Sequence, residues 1–165
     1  MSEAAAGWKP IAIAAAAALA VALLGGLMTE IGPWYRSLQK PSWQPPDWAF
    51  GPAWTLIYAL AAISGVLAWR DAHSQQQRET MLMLFALNAF LNVLWSLLFF
   101  RLRRPDWALM EVGLLWLSVL LLIVVLGRYS RTAALLLVPY LLWVSFASSL
   151  NWATVRLNGP FGGST

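Results

Sequence analysis

The 165-residue chain contains no cysteine, so disulfides and thiolate metal sites are excluded. It has one histidine, His73, in a polar connector, which argues against a histidine-rich metal or haem site. Charged residues make up only 11% of the chain, against about a quarter in soluble domains. Acids are the scarcest, and the two beside apolar stretches, Glu30 and Glu111, sit near the stretch ends, a poor place for proton coupling. The sequence holds no glycine-rich phosphate loop, no nucleophile-base-acid arrangement and no metal-ligand cluster, so hydrolytic or ordinary acid-base catalysis has no support. No metal and no required cofactor are expected.

Apolar residues dominate instead, at 60%, and they come in long blocks. A block of about 18 or more with few charges reads as a membrane span. Five emerge, at about 10–31, 48–69, 80–100, 106–126 and 132–157. Because hydrocarbon offers no partner for loose backbone groups, each span is expected to be a helix. The fold class is therefore an all-α integral membrane protein, a single domain over 1–165 built as a bundle of five transmembrane helices. The N-terminus lacks a signal peptide's basic start and cleavage site, so the first block is read as a retained span. The net charge of +4 comes from basic residues flanking the spans, which fits lipid headgroups better than nucleic acid.

The connectors are short. Residues 70–79, RDAHSQQQRE, are the most polar and are expected outside the bilayer. Pro105 and Asp106 suit a helix start, Gly127 a helix end, and Pro139 a bend inside span five. The tail 158–165 is expected to be disordered. Basic residues divide almost evenly between the two sides, so the positive-inside rule does not orient the chain, although the RLRR cluster favours its own side as cytoplasmic.

The first connector is unusual. WYRSLQKPSWQPPDWAF (34–50) carries three tryptophans, Tyr35 and Phe50 but only Arg36, Lys40 and Asp47 as charges. Pro41, Pro45 and Pro46 restrict its backbone, so it can hold a shape without being a helix. Inside the spans, polar and aromatic residues recur at helical spacing. Asn88, Asn92, Trp95 and Phe99 share a stripe on span three, Trp54 and Tyr58 one on span two, and Trp143, Ala147 and Asn151 one on span five. Buried amides more often bond neighbouring helices than ligands, and aromatic stripes more often form core. Three such stripes together make a flat apolar pocket more credible.

WYRSLQKPSWQPPDWAFGPAWTLIY, LNAFLNVLWSLLFF and PYLLWVSFASSLNW, in that order, resemble the TspO/MBR family of translocator proteins, with a bacterial-type pattern that favours a bacterial envelope membrane. The resemblance implies a homodimeric five-helix bundle with a pocket under the first loop (32–47), a lid. It implies binding of porphyrins such as protoporphyrin IX, related tetrapyrroles and benzodiazepine-site ligands. Carried over by position, the ligand-binding residues are Tyr35, Trp54, Asn88, Asn92, Trp95, Trp143 and Ala147. Many relatives have Gln at the position of Asn88. Trp54 and Trp143 match tryptophans implicated in light-dependent porphyrin breakdown, and would be the catalytic pair if that reaction occurs here. A sterol is a further possible partner, although LNWATVR places Trp152 where the animal cholesterol motif has Tyr; LGRYSR is a formal match elsewhere. A transporter reading lacks the inverted repeats and broken helices common in that class.

Overall fold

The computed structural model of the chain describes residues 7–161. Its helices are α1 (Lys9–Met28), α2 (Pro33–Ser37), α3 (Phe50–Asp71), α4 (Gln75–Ser96), α5 (Pro105–Leu126), α6 (Arg131–Leu136) and α7 (Val138–Asn158). A single 3₁₀ turn, Asp47–Ala49, leads into α3, and a π turn, Leu97–Arg101, extends α4. The five expected spans are thus α1, the turn with α3, α4 with its π turn, α5, and α6 with α7, each long and apolar enough to cross a bilayer.

The order of burial follows from position in the bundle. About 39% of the apolar stretch of α5 is buried, against 6% for α1, so α5 is the central staff and α1 the outermost. Helix α5 packs against α4 and α7, while α1 lies across α3 and α4. The core runs down α5 through Val112, Leu115, Val119, Leu122 and Leu126, joined by Leu137, Tyr140 and Val144 from the fifth span. Lipid is as apolar as leucine, so close packing and interhelical hydrogen bonds, rather than exclusion from water, hold these helices together. One such bond is buried: Ser64 Oγ donates to the Ala133 carbonyl at 2.8 Å, pinning α3 to α6.

Helix boundaries depart from expectation where local chemistry overrides the hydrophobic pattern. The connector expected at 70–79 shrinks to Ala72–Ser74. Ser74 and Gln77 form a reciprocal capping box that starts α4 within the polar stretch. Span five breaks at Leu137 because Pro139 has no N–H to give the Leu135 carbonyl. Pro105 and Gly127 bound α5 as expected. After the π turn, Arg104 N–H reaches back to the Leu98 carbonyl at 2.9 Å, with Arg103 at φ 54°. That is a Schellman-type stop, whose left-handed position is held here by arginine where glycine is usual. The tail expected to be disordered from 158 loses that first residue, because Asn158 closes α7; its last four residues, 162–165, lie outside the described residues.

Candidate ligand-binding site

At the end of the bundle where α1 stops and α7 ends lies a cavity of ≈540 Å³, within the size range of small-molecule sites. Its inner wall is aromatic. Trp54 stacks on Tyr58 at 5.4 Å between ring centroids and meets Trp143 edge-on at 6.2 Å. On the facing side Trp95 stacks on Phe99 at 5.1 Å and meets Phe100 at 6.0 Å. Each such pair adds about 0.5–1.5 kcal/mol beyond the area it buries. Ala147 leaves space beside Trp143, and Gly25 and Gly26 of α1 form the remaining wall.

The π turn explains the second aromatic face. Its wider coil lets the Leu102 N–H bond the Leu97 carbonyl, five residues back. Residues 95 and 100, which a regular α-helix would turn apart, both come to the cavity. Such one-turn π insertions are frequent at functional sites.

The first connector closes the cavity from above. Tyr35 is buried and packs on Phe100 at 5.5 Å, Trp34 on Phe99 at 6.3 Å and Trp43 on Phe146 at 5.9 Å. Contact with the bundle thus accounts for Trp34, Tyr35 and one side of Trp43, whereas Trp48 is 75% exposed. A polar node fixes its shape: Tyr35 Oη donates to Asp47 Oδ1 at 3.1 Å, Lys40 Nζ sits 3.3 Å from the same oxygen, and Gln44 Nε2 donates to Tyr35 Oη at 3.3 Å. Lys40 Nζ also lies 3.9 Å from the centre of the Tyr35 ring. Burial, and then the Asp47 carboxylate, push the Tyr35 phenol up to about 12. A second tie joins the loop to the end of α7. Gln39 N–H donates to Asn158 Oδ1 at 2.7 Å, and Asn158 Nδ2 donates to the Gln39 carbonyl at 2.8 Å.

Of the residues singled out in the sequence, Tyr35, Trp54, Trp95, Trp143 and Ala147 line this cavity together, and Asn88 and Asn92 do not. Both amides are buried one layer deeper and spent on neighbouring helices. Asn92 Oδ1 accepts from Tyr58 Oη at 2.7 Å and its Nδ2 donates to Tyr140 Oη at 3.0 Å. Tyr140 Oη in turn donates to Asn88 Oδ1 at 3.1 Å, and Asn88 Nδ2 donates to Ser118 Oγ at 2.9 Å. The chain of bonds crosses α3, α4, α5 and α7, and every donor in it has an acceptor. The amides therefore back the wall and do not form it. Asn151 plays a similar part at the cavity edge. In the amide orientation its neighbours dictate, it donates to the Pro105 carbonyl at 2.9 Å and accepts from Trp95 Nε1 at 3.2 Å and Leu109 N–H at 3.1 Å. This holds the Trp95 ring against α5 and α7. Trp143 Nε1, by contrast, is enclosed and has no acceptor among the described residues.

Besides Phe100, two contributors escaped the sequence reading. One is the Gly25–Gly26 wall, where a Cβ on Gly25 would stand 3.7 Å from Tyr58 Oη; the paired glycines near the end of an alanine-rich helix were the available signal. The other is Asp47 as the organising acceptor of the loop, hinted at by its being the loop's one acid. Of the loop's two bases, Arg36 is exposed and does not line the cavity, whereas Lys40 does.

Residues 12–157 match the TspO/MBR family. The chain is 41% identical over 147 residues to the tryptophan-rich protein TspO of Chlorobaculum tepidum, a match covering 85% of this chain and 90% of that protein. It is 37% identical over 133 residues to protein CrtK of Rhodobacter capsulatus, covering 81% and 83%, and 34% identical over 131 residues to the translocator protein of Homo sapiens, covering 79% and 78%. The family match spans all five apolar helices and the loop above the cavity: this multi-pass integral membrane protein belongs to the TspO/MBR family.

Proposed function

We propose that the chain binds a porphyrin or related tetrapyrrole in the cavity beneath the first loop, and acts in tetrapyrrole handling, sensing or regulation. The observation that carries this reading is the pair of opposed aromatic faces, Trp54 with Trp143 and Trp95 with Phe99 and Phe100, around ≈540 Å³ of mostly apolar space. A flat macrocycle fits such walls through offset stacking. The lip suits its acidic substituents, because Lys40 reaches the cavity and can exchange Asp47 for a ligand carboxylate without losing an ionic partner. A relative from Cereibacter sphaeroides, 35% identical over 133 residues, bears the name tryptophan-rich sensory protein, in keeping with a sensing role. Titrating the purified protein with protoporphyrin IX tests the reading: tryptophan emission should fall saturably, and a flat or non-saturating trace would remove it.

A second reading, light-dependent porphyrin breakdown, is favoured by one specific arrangement. Trp143, Trp54 and Tyr58 form a continuous run of rings at 6.2 and 5.4 Å, close enough to share an oxidising equivalent generated on a bound, illuminated macrocycle. The Soret band should then bleach under light and oxygen, and Trp54→Phe with Trp143→Phe should stop it. Bleaching at an unchanged rate in the double variant would leave both residues as walls.

A further inference from the structure

On the opposite flank of Tyr58, away from the loop-covered cavity, α1 does not seal against α3 and α4. The gap is a groove of ≈520 Å³, open to the hydrocarbon and floored by Ala61, Ala62, Gly65 and Phe85. A Cβ on Gly65 would touch Phe85 at 3.7 Å, so the floor is closed. Along α1 the groove extends from Lys9 to Val21, about 18 Å at 1.5 Å per residue. That is close to the depth of one leaflet, half of the ~30 Å hydrocarbon layer. It ends inside at Tyr58, whose hydroxyl is already committed to Asn92. The interior therefore offers a guest no polar partner.

The outer end has a different character. Lys9 and Trp69 form its rim; Arg78 stands just outside the lining, its guanidinium 5.2 Å from the Trp69 ring and its Nη2 donating to the Ala72 carbonyl at 3.4 Å. Arg78 Nε is enclosed with no acceptor among the described residues. The acids on the same edge are turned elsewhere: Asp71 accepts from Ser130 and Glu79 from Gln75, and neither lines the groove. A basic rim above an apolar, one-leaflet trough is the complement of a single kind of molecule.

We infer that this groove is a binding site for an anionic glycerophospholipid of the leaflet that holds the N-terminus of α1, with an acyl chain in the alanine-lined trough and the phosphate between Lys9 and Arg78. Near a membrane surface each Lys or Arg adds about fivefold to the attraction for an anionic headgroup. A sustained preference for anionic over zwitterionic lipid should therefore follow, weakening as salt rises.

The test is native mass spectrometry of the full chain released from detergent after incubation with equal amounts of phosphatidylglycerol and phosphatidylcholine of the same acyl composition. One phosphatidylglycerol should remain bound per chain. Lys9→Gln, a surface change that leaves the helix intact, should cut the preference about fivefold, and adding Arg78→Gln about twenty-fivefold in all. Ala62→Phe should abolish retention of both lipids by filling the trough, with circular dichroism unchanged. Equal retention of the two lipids, or a Lys9→Gln preference equal to wild type, overturns the assignment. So does Ala62→Phe that keeps its lipid but shifts the monomer–dimer ratio, which would give the groove to a second copy of the chain.

Discussion

Tyr58 Oη donates to Asn92 Oδ1 at 2.7 Å, and through that bond the aromatic wall of the cavity is tied to the polar spine of the bundle. Tyr58 faces the cavity, stacks on Trp54 and also closes the inner end of the α1 groove. Asn92 faces none of these; it passes the constraint to Tyr140, which passes it to Asn88 and Ser118. Residues that line the cavity and residues that hold the wall in place thus separate cleanly, and substitutions should tell them apart.

Asn88→Leu should lower thermal stability while leaving ligand affinity within about twofold. It leaves the Tyr140 hydroxyl without its acceptor and Ser118 without its donor. The cost is about 1–2 kcal/mol, the upper part of the range for polar contacts between membrane helices. Tyr58→Phe should cost about 1 kcal/mol for the same reason. Thermal unfolding followed by circular dichroism, beside a protoporphyrin titration, checks both; a tenfold affinity loss in Asn88→Leu would return that amide to the binding surface.

Gly51→Leu separates folding from binding in the other direction. Gly51 lines the cavity from the first turn of α3, and a Cβ there meets nothing within 4 Å. A side chain therefore enters the cavity without clashing, and replacing a helical glycine should raise stability by about 0.5–1 kcal/mol. Affinity for the macrocycle should fall at least tenfold, because leucine takes up space the ligand needs. A more stable protein with intact affinity would mean that the ligand sits elsewhere.

Asn158→Ala should speed ligand release. The side chain makes both bonds that tether Gln39 of the loop to the end of α7. They are exposed to solvent, so about 1 kcal/mol is at stake in place of the sum of two buried bonds. That corresponds to roughly a fivefold rise in koff with kon little changed, measured by stopped-flow quenching of tryptophan emission.

Closure of the loop should fail only at strongly alkaline pH. With the Tyr35 phenol raised from 10.0 to about 12, the unfolded or open chain loses its proton first. The closed form is then fully favoured below pH 10 and weakens as pH rises from 10 to 12. A tyrosinate difference spectrum of wild type minus Tyr35→Phe should show a transition near pH 12; one near pH 10 would mean that the ring is not enclosed.

The bundle was legible because five apolar blocks of span length leave few alternatives, and the comparisons place the chain in the same family that its motifs resemble. Within the site, helical spacing correctly grouped Trp54 with Tyr58 and Trp143 with Ala147. At Asn88 and Asn92 the residues alone favoured bonds to neighbouring helices, as the structure has them, and it was the carry-over from the family resemblance that set them against a ligand. Spacing shows that they share a stripe with Trp95, but not that Tyr58, Tyr140 and Ser118 from three other helices consume their hydrogen bonds. Phe100 was missed because an i, i+5 neighbour of Trp95 reaches the same face only across a π turn, which no periodicity of 3.6 reveals. The polar start of α4 was taken for a connector because Ser74–Gln77 capping acts on the backbone, outside any hydrophobic count.

The most direct measurement is a structure of the protein with protoporphyrin IX bound. The account requires the macrocycle inside the ≈540 Å³ cavity, with ring atoms within about 4.5 Å of Trp54, Trp95 and Trp143 and a propionate at Lys40. A macrocycle lodged on the lipid-facing surface, with the cavity beneath Tyr35 empty, would contradict it.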